Sequence, residues 1–309
     1  MSRVIRNRSI LLVVFLMGII IVWSCAGHKP FDWGNPETGY RLSYRTKPGD
    51  SFHYISTWEA FNTTERGGQS YDNTSNRTMT YHLKAEKNDS LLPFILTIDT
   101  LGTSFESSRG SNTPDYSPYS GKRARVYITP VGLHRYRKTV LLDSISLPEG
   151  NNPFGPRDPK REFRLGFIKV PDRLIKTGDS WTDTRIDTST FNDTTRQYTT
   201  TTIIDRETSY TVLGEETKMG LACLHIKMES TSTREMWGIM RGNDMSSEGE
   251  DESNTEIWFA YKEGILVEMT NTTFSEGTMA FSGQSSGTMP NTRESTVSLR
   301  LVEWFPKKR

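Results

Sequence analysis

Five histidines, two cysteines, one dense acidic run and a twice-used Lys-Xaa-Gly-Asp-Ser-aromatic element are the parts of this sequence that could do chemistry. His28, His53, His82, His134 and His225 are scattered. No two lie within four residues, and neither HExxH nor paired-cysteine spacing occurs, so no zinc site is predicted. Cys223 stands two residues before His225, which in a strand puts both side chains on one face. A thiolate nucleophile needs a base and a polar, partly open setting. Leu221-Ala222-Cys223-Leu224 instead predicts a small buried hydrophobe. The run Glu248-Gly249-Glu250-Asp251-Glu252 lacks the spacing of a calcium loop and predicts a solvated hairpin tip, with a weak divalent-cation site as the alternative. There is no GxxxxGK(S/T), GxGxxG or GxSxG. The sequence therefore assigns no catalytic residue, no metal ligand and no cofactor, and a non-enzyme is expected.

The repeated element is Lys47-Pro48-Gly49-Asp50-Ser51-Phe52 and Lys176-Thr177-Gly178-Asp179-Ser180-Trp181. Its chemistry is mechanical. Glycine permits the positive φ of a tight turn, and an Asp or Ser side chain bonds nearby backbone groups. The aromatic then opens a strand and fills the core. Gly49, Asp50, Gly178, Asp179 and Trp181 are thus predicted as structural turn residues, with Trp181 pointing inward. A carboxylate–serine catalytic pair would need a base that no spacing supplies.

Strands must position these residues. The 309 residues include 38 Thr and only 7 Ala, the reverse of helical usage. Phe94, Leu96 and Ile98 alternate with Ile95, Thr97 and Asp99; Leu224, Ile226 and Met228 with His225, Lys227 and Glu229; and Val297, Leu299 and Leu301 with Ser298, Arg300 and Val302. Such alternation predicts antiparallel strands with one buried face. Gln197 to Leu213 reads as one long strand. The best helical candidate is short, around Asp158 to Phe167, with Pro159 in its first turn. Four landmarks recur in order: the Gly-Asp turn, Tyr81 with Tyr210, Phe94 with Leu224, and Val126 with Trp258. The expected fold is mainly β and antiparallel, with two duplicated curved-sheet or open-barrel units of about 130 residues each. The units are placed at 39–155 and 156–309.

The N-terminus gives an address. Arg3, Arg6 and Arg8 precede an apolar run from Ile10 to Trp23, short for a membrane-spanning helix and laid out as a secretory signal. Val22-Trp23-Ser24-Cys25 resembles the bacterial lipobox. The resemblance implies a signal peptide at 1–24, cleavage before Cys25, and acylation of Cys25 at the head of a tether over 25–38. More than one acyl chain on one residue meets the requirement for stable anchoring. Ala26 after the cysteine points to the outer membrane of a diderm bacterium, the face unassigned. The formal charge is +1, and removing the three leader arginines leaves a slight acidic excess. That balance argues against nucleic acid as a partner.

A wider likeness rests on Val170-Pro171-Asp172 leading to Gly178-Asp179-Ser180-Trp181. Tyr210-Thr211-Val212-Leu213-Gly214, Gly220 to Ile226 and Gly264-Ile265-Leu266-Val267 then follow. This order resembles a set of β-rich, lipid-anchored bacterial proteins known as a domain of unknown function, over residues 38–275. The resemblance implies architecture and no mechanism. Beyond it, Ser275 to Thr292 is Gly/Ser-rich and reads as an extra hairpin or a loop. The function expected is a lipid-anchored envelope protein with a binding or accessory role, a hydrophobic ligand leading. A protein- or glycan-binding module is the alternative.

Overall fold

The computed structural model describes residues 33–87, 90–108, 110–145, 158–193, 198–240, 242–283 and 286–306. Cys25 and the signal segment lie outside the described residues. Among the described residues, no helix is long and apolar enough to cross a membrane.

Gly34–Arg309 forms one compact unit. Its first half carries β1 (Gly34–Asn35), β2 (Gly39–Arg41), β3 (Ser51–Arg66), β4 (Gln69–Ala85) and β5 (Leu92–Ser107). β6 (Gly110–Asn112), β7 (Arg123–Ile128) and β8 (Val140–Leu141) follow. The second half carries β9 (Leu174–Ile175), β10 (Ser180–Asp193), β11 (Tyr198–Lys218) and β12 (Leu221–Met240). It ends with β13 (Asn243–Ala260), β14 (Ile265–Phe281) and β15 (Gly287–Phe305). The protein is mainly β, and every strand pairing is antiparallel.

Beside a small sheet β1-β2-β9, the long strands of both expected units lie in one continuous sheet. The order is β10-β11-β12-β13-β14-β15-β3-β4-β5-β7-β8, with β6 on β5, and β10 and β8 remain as open edges. The join is β15 on β3, from Asn291 opposite Thr64 to Phe305 opposite Ser51. Strands on both sides of the expected 155/156 boundary thus share one hydrogen-bonded ladder. Alternation along a strand specifies which face is buried, and it leaves the neighbour open.

The strands are long, 14 to 21 residues for β10 to β15. Among the described residues, the apolar core is concentrated at one end of the sheet, which is covered. There Phe52, Tyr54, Leu83, Leu96, Ile98, Ile257, Phe259 and Leu301 are buried, as are Tyr40, Leu42 and Tyr44 and, in a strap over residues 158–170, Phe163, Leu165, Ile168 and Val170. The strap opens with a 3-10 turn, Pro159–Phe163, capped by the Asp158 side chain, which accepts from the Lys160 amide. Phe167 stacks on Tyr44 at 5.2 Å, and the Ile168 amide donates to the Tyr44 hydroxyl at 3.2 Å. The core-facing Arg77 of β4 pairs with buried Glu162 at 2.6 Å. Residues 275–292, expected as a hairpin or loop, form the β14–β15 hairpin.

Candidate functional site

Both predicted turns are built alike. Gly49 and Gly178 take φ of +96° and +86°, a region where a Cβ is strained. Asp50 accepts from the Lys47 amide at 2.7 Å, and Asp179 from the Lys176 amide at 2.9 Å. The Gly49 amide donates to Ala85 and the Gly178 amide to Val212, both at 2.8 Å. These residues fix chain direction and offer no reacting group.

The strands beyond the turns match less closely than the sequence suggests. Phe52 lies opposite Leu83, and Trp181 lies opposite Tyr210. Leu83, rather than Tyr81, therefore occupies the place of Tyr210. Tyr81 pairs with Tyr54, one step along the same face. Likewise Val126 opposes Phe94 as Ile257 opposes Ile226, which moves Trp258 to the other face. Trp181 stacks on Tyr210 at 4.8 Å and 3°, facing the core side, but on edge strand β10 it stays half-buried.

Cys223 is buried as predicted, and burial pushes its thiol up to about 11. His225 is committed elsewhere. Its Nδ1 lies 2.7 Å from Glu216, its Nε2 2.5 Å from Glu256, and its ring stacks on Trp258 at 4.5 Å. A buried, protonated thiol beside an occupied imidazole is not a nucleophile.

What the sequence missed lies on the face turned away from the core. Past the covered end, one row across the sheet reads Glu207, Thr231, Glu252, Phe274, Glu294, Phe61, Thr74, Glu106. The next row carries Asp205, Glu250, Glu276 and Asp72. Neither row holds a lysine or arginine. On the core-facing side the matching row carries Arg185, Arg206, Arg293 and one acid, Asp251. Glu250 stands directly opposite Glu276, and Glu235 opposite Glu248. Like charges so placed destabilise a ladder. The acidic run is therefore no hairpin tip: it is the middle of β13, with Glu248, Glu250 and Glu252 exposed on one face.

Phe61 and Phe274 are 47% and 41% exposed on that acidic face, in adjacent register with Glu294 between them. They line an open groove of about 480 Å³ together with Glu59, Glu252, Glu294, Thr74, Asn76 and Asn254. One void inside the covered core, between Tyr44, Phe52, Tyr54, Phe167 and Leu266, measures about 10 Å³. That is room for about one water and not for an acyl chain. His53, His82 and Asp99 come together on the outward face of β3, β4 and β5, all donor atoms within 4.8 Å. The spacing rule overlooked them because strand register, not sequence distance, makes them neighbours.

Neither protein-family profiles nor curated proteins give a match to the sequence. Among solved structures, the chain is similar to lipovitellin, described for its lipid–protein interactions, at 10% identity and a TM-score of 0.42. The match covers 86% of this chain and 26% of that one, so the chain spans about a quarter of the protein it matches. An outer membrane channel from Pseudomonas putida F1 follows at 9% identity, with 88% and 99% coverage and a TM-score of 0.30. An exported protein of YmcC-like fold from Bacteroides fragilis has 10% identity, 85% and 100% coverage and a TM-score of 0.20. Likenesses this distant lend no argument about what the site does.

Proposed function

We propose that this chain is a lipid-anchored envelope protein, held at the outer membrane through Cys25, that binds a partner protein and catalyses no reaction. The partner offers a cationic surface with apolar side chains. The observation that carries this reading is the acidic outward face with Phe61 and Phe274 in its groove. Aromatic side chains in a concavity are the usual anchors of an interface, and surrounding carboxylates select and steer a positive partner. The opposed pairs Glu250–Glu276 and Glu235–Glu248 strengthen it. The free protein bears their repulsion, and a cationic partner relieves it.

The test is binding of a labelled peptide of alternating Lys and Leu, followed by anisotropy at low and high salt. Wild type should bind it, and should bind more weakly as salt rises. Phe61→Ala with Phe274→Ala should weaken binding about tenfold or more. Equal binding of a Glu–Leu peptide, or indifference to the double substitution, defeats the reading. The anchor is tested separately: Cys25→Ala should move the protein out of the membrane fraction, and sedimentation with membranes after a carbonate wash would refute acylation.

A further inference from the structure

We propose that His53, His82 and Asp99 form a binding site for a divalent transition metal of the zinc class, with at least one coordination position open to solvent. The site is separate from the groove and does not depend on the partner-binding reading.

The site is made by two features of the ladder. β3 and β4 put His53 directly opposite His82, and the imidazoles stack at 4.2 Å and 8°. Between β4 and β5 the register slips: Tyr81 pairs with Ile98 and Thr80 with Thr100, which leaves Asp99 as the extra residue of a bulge. A bulge re-aims a side chain, and here it turns the carboxylate toward the histidine pair. Asp99 Oδ2 lies 2.7 Å from His82 Nδ1 and 3.7 Å from His53 Nε2. The bulge is pinned from behind. The Ser120 hydroxyl donates to the Asp99 carbonyl at 2.7 Å, the Ile98 amide donates to Lys122, and the Gly121 amide donates to Ile98.

An ordinary ion pair would need one histidine. Here a single carboxylate oxygen serves two imidazoles, and among the described residues these are its side-chain partners. Two nitrogens and one carboxylate oxygen are a ligand set for Zn²⁺ and its neighbours in the first row. Metal–ligand bonds of about 2.0–2.2 Å put adjacent tetrahedral donors about 3.3 Å apart. The present 2.7 and 3.7 Å straddle that value. The stacked rings must tilt about their χ angles so that their lone pairs converge, which half-exposed side chains can do without moving the strands. The side chains of His53, His82 and Asp99 are 22%, 41% and 31% exposed, so the remaining coordination position faces water. Three protein ligands with an open fourth position is the arrangement of an exchangeable site rather than a closed structural one. Glu303 of β15 stands opposite His53 on the far side from His82, beside a second register slip, and is the nearest further carboxylate in register.

The experiment is a Co²⁺ titration of the full chain in detergent, read by visible d–d absorption, followed by displacement with Zn²⁺. One equivalent of Co²⁺ should give a saturable band of four- or five-coordinate cobalt, which Zn²⁺ abolishes. His53→Gln and Asp99→Asn should each weaken the affinity at least about tenfold, since even outer-sphere losses reach that size. Asp99→Asn keeps a hydrogen-bonding side chain of the same shape on the bulge, so its circular dichroism should match wild type while binding falls. His225→Gln, in a carboxylate-filled network on β12, should leave the band unchanged. A cobalt spectrum that stays octahedral, or a band insensitive to His53→Gln and Asp99→Asn, overturns the site.

Discussion

Gly49-Asp50-Ser51-Phe52 and Gly178-Asp179-Ser180-Trp181 make the same turn with the same bonds, yet they do different work. The first delivers β3 into the middle of the sheet, between β15 and β4 and under the strap. Phe52 is 2% exposed there and meets Phe94 edge-on at 6.3 Å. The second delivers β10 to an open edge, where Trp181 lies flat on Tyr210 and Arg173 stands 5.8 Å above the ring. A local code thus sets the conformation of a turn, and its value to the fold is set by what surrounds it.

The sharpest test removes the two aromatics. Phe52→Ala should destabilise by about 3–5 kcal/mol, from lost transfer energy plus a cavity that close packing cannot refill. Trp181→Ala should cost about 1–2 kcal/mol: part of one stacked pair and part of one exposed surface. Denaturant unfolding of both variants decides it. Equal losses would mean that β10 is covered in solution, and that the edge is not an edge.

Acid should probe the covered end through one histidine. His134 lies under the strap, where Nδ1 accepts from the Leu165 amide at 3.4 Å and Thr139 approaches Nε2 at 3.3 Å. Burial, with the Arg164 guanidinium adding to it, lowers its pKa to about 4 from the usual 6.5. The unfolded chain therefore takes up a proton near pH 6.5 that the folded chain refuses until about pH 4. Stability from this group is full above pH 6.5, falls as pH drops through that window, and levels off below it. The loss should be about 1–3 kcal/mol. His134→Gln should flatten this part of the pH profile. If it steepens the profile instead, the strap is held by other groups.

Much of this was legible in the sequence, and the failures share one cause. Alternation located β5, β12 and β15, and Pro159 with Asp158 located one of the short 3-10 turns, because these signals are local. β11 was expected from Gln197 to Leu213 and runs Tyr198–Lys218. Pairing is not local. Nothing in Val297-Ser298-Leu299 says that Trp58, Thr57 and Ser56 lie opposite. His53 and His82 became neighbours only through register. The acidic run imitated a turn because Gly249 and consecutive charges are also what turns use; in β13 the same residues alternate between the acidic face and the core-facing side. Tyr81 and Tyr210 are misaligned by one period-2 step, which keeps both on the core face and makes the error invisible to a hydrophobic pattern.

The finest test concerns the two carboxylates. Each accepts an amide hydrogen bond, from Lys47 or Lys176, so an account from that bond alone predicts equal losses on truncation. The surroundings differ. Asp50 is 6% exposed, whereas the Asp179 side chain is 38% exposed, with Arg173 at 4.0 Å. Asp50→Ala removes a buried carboxylate and the acceptor of a part-buried amide, and should cost about 1–2 kcal/mol. Asp179→Ala hands the Lys176 amide to solvent and loses only a screened ion pair, so it should cost about 0.5–1 kcal/mol. Asparagine keeps the acceptor oxygen and should restore most of the loss at both positions. Chemical denaturation of the four variants reads the difference. If Asp50→Ala costs no more than Asp179→Ala, the turn's energy is local after all, and the contrast between the buried and the edge turn resides in Phe52 and Trp181 alone.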